Sequence, residues 1–262
     1  MIVFGKQPVS YVLAHHKEKI QEIYVAKDLP KDQFTRLKQT HKPIKILDFK
    51  KAQALAHGRN HQGVLLQVMY EPSKDIRPMF ELDTLVILCG LSDVGNIGAI
   101  VRSAYALGAA GVVLCDVNLQ KNALEGIMRS SAGALLDMPF CVIPRALDCI
   151  NELKMADFRL FGADMAGESI HSFMQANISL SSVPQSLSQT SLNSQKQGII
   201  TPLKSQYKKW ALFMGSEGEG LSAKVSKKLD TILSIPMAHT FDSLNVAHAC
   251  VILLHRLLSL KG

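Results

Sequence analysis

Beyond residue 84 the chain is a succession of short apolar runs set between polar turns: TLVILCG (84–90), GVVLCD (111–116), PFCVIP (139–144), RLFGAD (159–164), WALFMG (210–215) and TILSIPM (231–237). Runs of that length without polar alternation are strands buried on both faces. With helical stretches between them they predict a largely parallel sheet covered by helices, an α/β fold. Before residue 71 the strand-like runs are IQEIYVAK (20–27), IKILDF (44–49) and GVLLQVMY (63–70), alternating with helix-compatible stretches such as KKAQALAH (50–57). These predict a smaller α/β module over residues 1–72. The stretch EPSKDIRPMFELD (71–83) carries two prolines and mixed charges and breaks the periodicity. It predicts an interdomain linker at 73–82 and a larger domain over 83–262. Within that domain NISLSSVPQSLSQTSLNSQKQGII (177–200) is rich in Ser and Gln, almost uncharged and without sustained period, which predicts a flexible insertion.

Two amphipathic stretches place polar residues where packing does not ask for them. In GLSDVGNIGAIVRSAYALGA (90–109), helical spacing puts Ile97, Ile100, Val101, Ala104 and Leu107 on one stripe and turns Arg102 away from it. Asn96 reads as the N-cap that begins this helix. In SIPMAHTFDSLNVAHACVILLHRLLSL (234–260), Phe241, Asp242 and Ser243 read as a turn, and an apolar helix is predicted from Leu244 to Leu260, with Ser243 available to cap it. Asn245 is then a polar amide in the first turn of an apolar helix, where an alkyl residue is expected. The stretch FMGSEGEGL (213–221) closes a buried strand with three glycines and two glutamates. That is ordinary turn chemistry and equally a loop at which a backbone approaches a ligand, since ligands of open α/β sheets bind beyond the carboxyl ends of strands.

Charge and cysteine content sharpen this picture. Of 262 residues, 29 are Lys or Arg and 22 Asp or Glu, a net charge of +7; residues 1–75 hold 13 basic and 7 acidic residues and so carry +6 of it. A compact basic module on a near-neutral body suits a phosphate backbone as partner, or is a well-solvated lysine-rich surface. The five cysteines (Cys89, Cys115, Cys141, Cys149, Cys250) lie in apolar runs without a CxxC pair, which favours buried free thiols and a reducing cytoplasm over disulfides or zinc. No apolar run is long enough for a membrane span, and the first residues are too short in apolar character for a secretory signal. His239, His248 and His255 show no metal-ligand spacing, so no metal is expected. A nicotinamide-binding fold is disfavoured, because GLSDVGNIG lacks the GxGxxG spacing after the first strand.

Read in order, NIGAIVRSA, MGSEGEGLS and IPMAHTFDSLNVAHA resemble the three motifs of the SpoU family, the TrmH-like branch of the SPOUT superfamily of RNA ribose 2′-O-methyltransferases. The resemblance spans about residues 82–260, and RSSAGALLDMPF (129–140) is similar to the family's middle segment. The module that begins with VFGKQPV and ends with HQGVLLQV resembles the substrate-binding domain of the branch that modifies large-subunit ribosomal RNA.

The resemblance implies a trefoil-knotted C-terminal α/β methyltransferase domain behind a smaller N-terminal RNA-binding domain, S-adenosylmethionine as cofactor, and a homodimer. Carried over to this chain, Met214, Gly215, Gly218, Ile235, Pro236 and Leu244 would hold the cofactor, largely through main-chain groups. Asn96, Arg102, Glu217, Ser243 and Asn245 would form the reacting site. A guanidinium stays protonated in proteins, so Arg102 suits binding of the target phosphate and stabilisation of the attacking oxygen better than the part of a base. Glu217 would pair with or orient Arg102, Asn96 and Asn245 would orient backbone or ribose, and Ser243 would touch the substrate. The implied reaction is methylation of a ribose 2′-hydroxyl, of a guanosine in large-subunit ribosomal RNA. Transfer RNA is the alternative target, and a non-catalytic RNA-binding or ribosome-assembly factor is the alternative of another class. His239 and Thr240 stand where relatives often carry a small residue, and 177–200 where they have a short connection.

Overall fold

The computed structural model describes residues 1–181, 207–239 and 243–261. Its elements, in chain order, are β1 (Ile2–Phe4), α1 (Lys6–His15), β2 (Ile20–Val25), α2 (Lys31–Lys38), β3 (Ile44–Ile46), α3 (Phe49–Leu55) and β4 (Val64–Val68) in the N-terminal module. There follow β5 (Thr84–Cys89), α4 (Val94–Leu107), β6 (Gly111–Cys115), α5 (Lys121–Ser130), β7 (Phe140–Ile143), α6 (Ala146–Met155), β8 (Arg159–Ser169), α7 (Ile170–Ser181), β9 (Trp210–Met214), α8 (Ala223–Ser226), β10 (Thr231–Ser234) and α9 (Val246–Leu258).

The first four strands form a sheet in the order β1-β4-β2-β3, antiparallel except for the β2–β3 pair. The other six form a wholly parallel sheet in the order β10-β8-β9-β5-β6-β7. Every residue of β5, β6 and β9 is buried, as unbroken apolar runs require of central strands. From β5 the chain steps outward through β6 to β7, then crosses to the far side for β8 and returns to β9 beside β5. The order of strands therefore reverses at β5 and β9, and a crevice opens beyond their carboxyl ends.

Three features depart from the sequence expectations. Asn96 does not cap α4: Asp93 does, its carboxylate accepting the Asn96 backbone N–H at 2.6 Å, so that Asn96 sits within the first turn. Ser243 does not cap α9: the helix starts at Val246, and Asn245 Oδ1 accepts the backbone N–H groups of Ala247 (2.9 Å) and His248 (3.4 Å). An amide just outside the first turn satisfies orphan helix donors that an alkyl residue cannot, which removes the anomaly at Asn245. Finally, α7 continues through Ser181, with Asn177 Nδ2 donating to the Phe173 carbonyl at 2.8 Å, so residues 177–181 are helical. The rest of the expected insertion lies outside the described residues, as do Thr240, Phe241 and Asp242.

The segment expected as a linker is tied down. The Ser73 carbonyl accepts from Val142 N–H at 2.8 Å and its N–H donates to the Phe140 carbonyl at 3.1 Å, beside β7, while Ile76 and Met79 are buried. The module is itself docked on α5 and the turn that follows it. Ile2 N–H donates to Glu125 Oε1 at 2.7 Å and His57 Nε2 lies 2.9 Å from Glu125 Oε2. The Tyr11 hydroxyl donates to Asp137 Oδ2, which His16 Nε2 also meets at 3.1 Å. Gly133, at φ +105°, leaves room for the Tyr11 ring, which would lie 2.6 Å from any Cβ there. Apolar residues from both sheets pack into one continuous cluster around these contacts.

Candidate active site

The crevice is built from strand ends. The parallel pairing of β8 with β10 jumps from Gly162↔Ile232 to Glu168↔Leu233, so the intervening residues of β8 leave the ladder. That excursion is a bulge, and it turns Ala163, Asp164 and Met165 toward the space beyond β9. On the other side, the chain leaves β9 through Gly215 into a tight loop in which the Gly220 N–H donates to the Ser216 carbonyl at 3.0 Å. Gly215 is required by contact: a Cβ would lie 2.0–2.3 Å from the backbone of Gly220 and Leu221. Gly218 (φ +90°) and Gly220 (φ +65°) are required by conformation. The loop therefore presents Glu217 and Glu219 at its exposed tip.

The third wall comes from the segment after β10 and the start of α9. Together these segments enclose a cleft of about 620 Å³. Met214, Gly215, Gly218, Ile235 and Leu244 line it, as do Glu217, Ser243 and Asn245. Pro236 is exposed beside it and does not line it, because β10 ends at Ser234 and the chain turns there rather than continuing as a strand to 237.

Asn96 reaches this site from α4 through a directional relay. Because Asn245 Oδ1 is occupied by the helix cap, its Nδ2 faces outward and donates to Asn96 Oδ1 at 3.0 Å. That leaves Asn96 Nδ2 to donate to Glu217 Oε1. Each amide has its oxygen and nitrogen assigned by its neighbour, so the cap of α9 orients a carboxylate on the β9 loop. Asn96 itself is held there by the close packing of α4 on α5. A Cβ at Gly98 would lie 1.9 Å from Ser130 Oγ, which bonds the carbonyls of Val94 and Gly126 at 2.8 Å each.

Arg102 is not brought to the cleft. It is exposed on α4, and among the described residues it has no ion-pair partner, Glu217 included. The physical reason is helical geometry: six residues separate it from Asn96, which places it nearly two turns along and on another face. Within one chain, then, the partner of Glu217 is Asn96, and no contact with Arg102 joins it among the described residues.

Asp164, Met165, Ser216, Glu219 and Met237 also line the cleft and were not singled out from sequence. Asp164 had a signal, a carboxylate at the end of an apolar strand. The others depend on how two loops fold over it. Three lining side chains are carboxylates, Asp164, Glu217 and Glu219, and none is Lys or Arg. The site therefore favours a cation within it.

The cysteines take no part. All five are buried and free. Burial pushes the Cys141 thiol up to about 11 and that of Cys250 to about 12, so both stay protonated and unreactive at neutral pH. No group of three or more His, Cys, Asp or Glu side chains among the described residues is arranged to hold a metal.

This fold recurs in solved structures. The SpoU methyltransferase AviRb of Streptomyces viridochromogenes, crystallised with the cofactor AdoMet, superimposes with a TM-score of 0.73 at 22% identity, covering 98% of this chain and 89% of that one. In sequence, a 23S rRNA (guanosine-2′-O-)-methyltransferase of Bordetella pertussis is 29% identical over 97% of this chain and 95% of its own length. An uncharacterised tRNA/rRNA methyltransferase of Synechocystis is 28% identical over 79% of this chain, which spans only 48% of that protein's length. Residues 2–72 match the family described as RNA 2′-O ribose methyltransferase substrate binding. Residues 83–255, which hold the three walls of the cleft and the whole Asn245–Asn96–Glu217 relay, match the SpoU rRNA Methylase family, and the chain belongs to it.

Proposed function

We propose that the protein transfers a methyl group from S-adenosylmethionine to a ribose 2′-hydroxyl of RNA, with a guanosine of large-subunit ribosomal RNA as target. The observation that carries this reading is the Asn245–Asn96–Glu217 relay at the mouth of the strand-end cleft, in a chain of this family. The similarity to a 23S rRNA (guanosine-2′-O-)-methyltransferase over nearly the full length of both chains supports the target.

The residues present fit S-adenosylmethionine. Main-chain groups around Gly215, Gly218, Ile235 and Leu244 suit an adenosine moiety, apolar walls from Met214 and Leu253 suit its base, and Asp164, Glu217 and Glu219 offset its positive charges. When bound, the cofactor supplies a methyl group already activated on a sulfonium. The protein's share is then alignment of a hydroxyl with that methyl group, a positioning task that fixed side chains perform before the reaction begins. Glu217, held by Asn96, has a set direction at the mouth, and Ser243 is exposed beside it to meet the ribose.

Arg102 enters this chemistry through a homodimer. It shares the exposed side of α4 with Tyr105, 44% exposed, and the neighbouring helix α9 carries Ile252, 39% exposed. Pairing of two copies through that surface covers both side chains and brings Arg102 to a second copy, where the guanidinium binds the target phosphate and stabilises the attacking oxygen. The proposed fold of the C-terminal domain includes a trefoil knot, which rests on membership of the SpoU family. Five buried free thiols support a reducing cytoplasm.

The test is mapping of ribose methylation in total RNA with and without the protein, joined to transfer of labelled methyl groups in vitro. One mark lost from large-subunit ribosomal RNA is the expected result. A mark lost from transfer RNA changes the target, and no lost mark with no transfer overturns the enzymatic reading.

A further inference from the structure

The N-terminal module has a second cleft, of about 420 Å³, and its chemistry is the reverse of the first. It lies between α1, the stretch after β2, α2 and the turn before β4. Its floor is apolar, from Val9, Leu13, Leu29, Leu37 and Val64, and its lining includes Lys6, Lys27 and Arg36 with no carboxylate. Among the described residues none of these three cations has an ion-pair partner. The aliphatic stem of Lys27 lies across Gly63, where any Cβ would strike it, so that the stem forms part of the wall.

His61 also lines this cleft and is only 5% exposed. Its Nδ1 accepts the Gly63 N–H at 3.1 Å, which leaves the proton on Nε2, a donor without a protein acceptor among the described residues. Burial, and then the charge of Lys27, hold its pKa below the ordinary histidine value. Beside that ring stands Phe49, its ring centroid 5.8 Å away and the residue 68% exposed.

We propose that this cleft holds one unpaired nucleotide of the RNA, its sugar-phosphate on Lys6, Lys27 and Arg36 and its base on the apolar floor, with the next base stacked on Phe49. The proposal rests on the reading of the protein as an RNA methyltransferase and deepens it by locating an anchor. The argument is one of charge. The cleft assigned to the cofactor carries three carboxylates and no cation of its own, so it disfavours a phosphate backbone and the RNA needs cationic contacts elsewhere on the chain. Basic side chains without partners, beside an apolar floor and an exposed aromatic ring, are the parts from which single-strand sites are built. A duplex cannot enter, because its bases are stacked and paired and their faces are not offered.

The test measures binding of a fluorescein-labelled single-stranded RNA of about ten nucleotides, and of the same sequence as a duplex, to the full chain across a salt titration. Lys27→Met with Arg36→Gln keeps both stems and removes both charges. Single-strand affinity should fall roughly tenfold, and the slope of log affinity against log salt should lessen by about 1.4 for two lost phosphate contacts. Phe49→Ala should weaken binding roughly 5- to 150-fold through the lost stack. Melting temperature and S-adenosylmethionine affinity should not change. Lys17→Gln with Lys42→Gln removes the same charge outside the cleft, and an equal loss there would overturn the proposal in favour of a diffuse basic surface. Equal binding of duplex and single strand would overturn it too. If the native chain binds neither RNA, the RNA reading itself fails. If it binds RNA and the cleft variants bind equally well, only the cleft fails.

Discussion

At the scale of single residues, Asn245 carries two duties that can be separated. Its oxygen caps α9 and its nitrogen starts the relay to Glu217. Asn245→Ala loses both and should cost about 1 kcal/mol of stability, the usual value of an N-cap, together with most of the methyl transfer. Asn245→Asp keeps the acceptor and loses the donor, so stability should stay near that of the native protein while transfer falls. Chemical denaturation and a methyl-transfer assay on the two variants check this, and equal activity in Asn245→Asp and the native chain would remove the relay from the mechanism. Arg102→Ala tests a different point. The side chain is exposed and unpaired among the described residues, so melting temperature and cofactor binding should hold while methyl transfer drops by two to three orders of magnitude, roughly the value of a lost charge-stabilising group. Mixing Arg102→Ala with an Asn245→Asp chain should restore part of the activity if Arg102 serves a partner's cleft, and none if each chain works alone.

At the scale of elements, the cleft depends on backbones that pass too close for side chains. Gly215→Ala places a methyl group within 2.3 Å of main-chain atoms that have no rotamer to change. The loop must move, at about 3 kcal/mol or more, the upper range for overpacking. Calorimetry should show cofactor affinity lost with that stability. Gly218→Ala is the control. It meets no atom within 4 Å but sits at φ +90°, so the strain is local and the walls of the cleft stay in place. The same logic explains the excursion of β8. Gly167 passes where a Cβ would lie 2.6 Å from the Ile232 carbonyl, and this close pass lets β8 regain its pairing with β10 after turning Asp164 into the cleft.

At the scale of the whole molecule, the two sheets are locked by Asp137 with Tyr11 and His16, and by Glu125 with Ile2 and His57. Burial works to raise the Asp137 carboxyl, but the Tyr11 hydroxyl and His16 outweigh it and hold the group below its ordinary value. A carboxylate depressed on folding adds stability above its unfolded pKa of about 3.9, and that stability is lost as pH falls through the folded value. Asp137→Asn should therefore lower the melting temperature at neutral pH and flatten its dependence on pH in the acid range, measured by melts between about pH 3 and 7. A chain begun at Glu71 keeps Ser73 on β7 and the buried Ile76 and Met79. It should still bind S-adenosylmethionine, while its RNA affinity falls and its salt dependence becomes shallower, because the basic module is gone. Unchanged affinity and slope would move the RNA surface to the larger domain.

The alternation of apolar runs by itself determined the parallel sheet. Strands buried on both faces read as nearly continuous apolar runs, so β5, β6 and β9 announce themselves. Motif order likewise determined the family, and Met214, Gly215, Gly218, Ile235, Leu244, Glu217, Ser243 and Asn245 do meet at one cleft. Short or half-exposed elements such as β1 and β3 were beyond such a reading, since three residues carry no period. Only the tertiary structure decided which residue caps which helix, that Glu217 meets Asn96, and that residues after Glu71 join the sheet. Each of these turns on a contact of a few ångströms between segments far apart in sequence, such as the 149 residues between Asn96 and Asn245. Periodicity reports the face a residue turns to the core, and it holds no information about which distant group waits there.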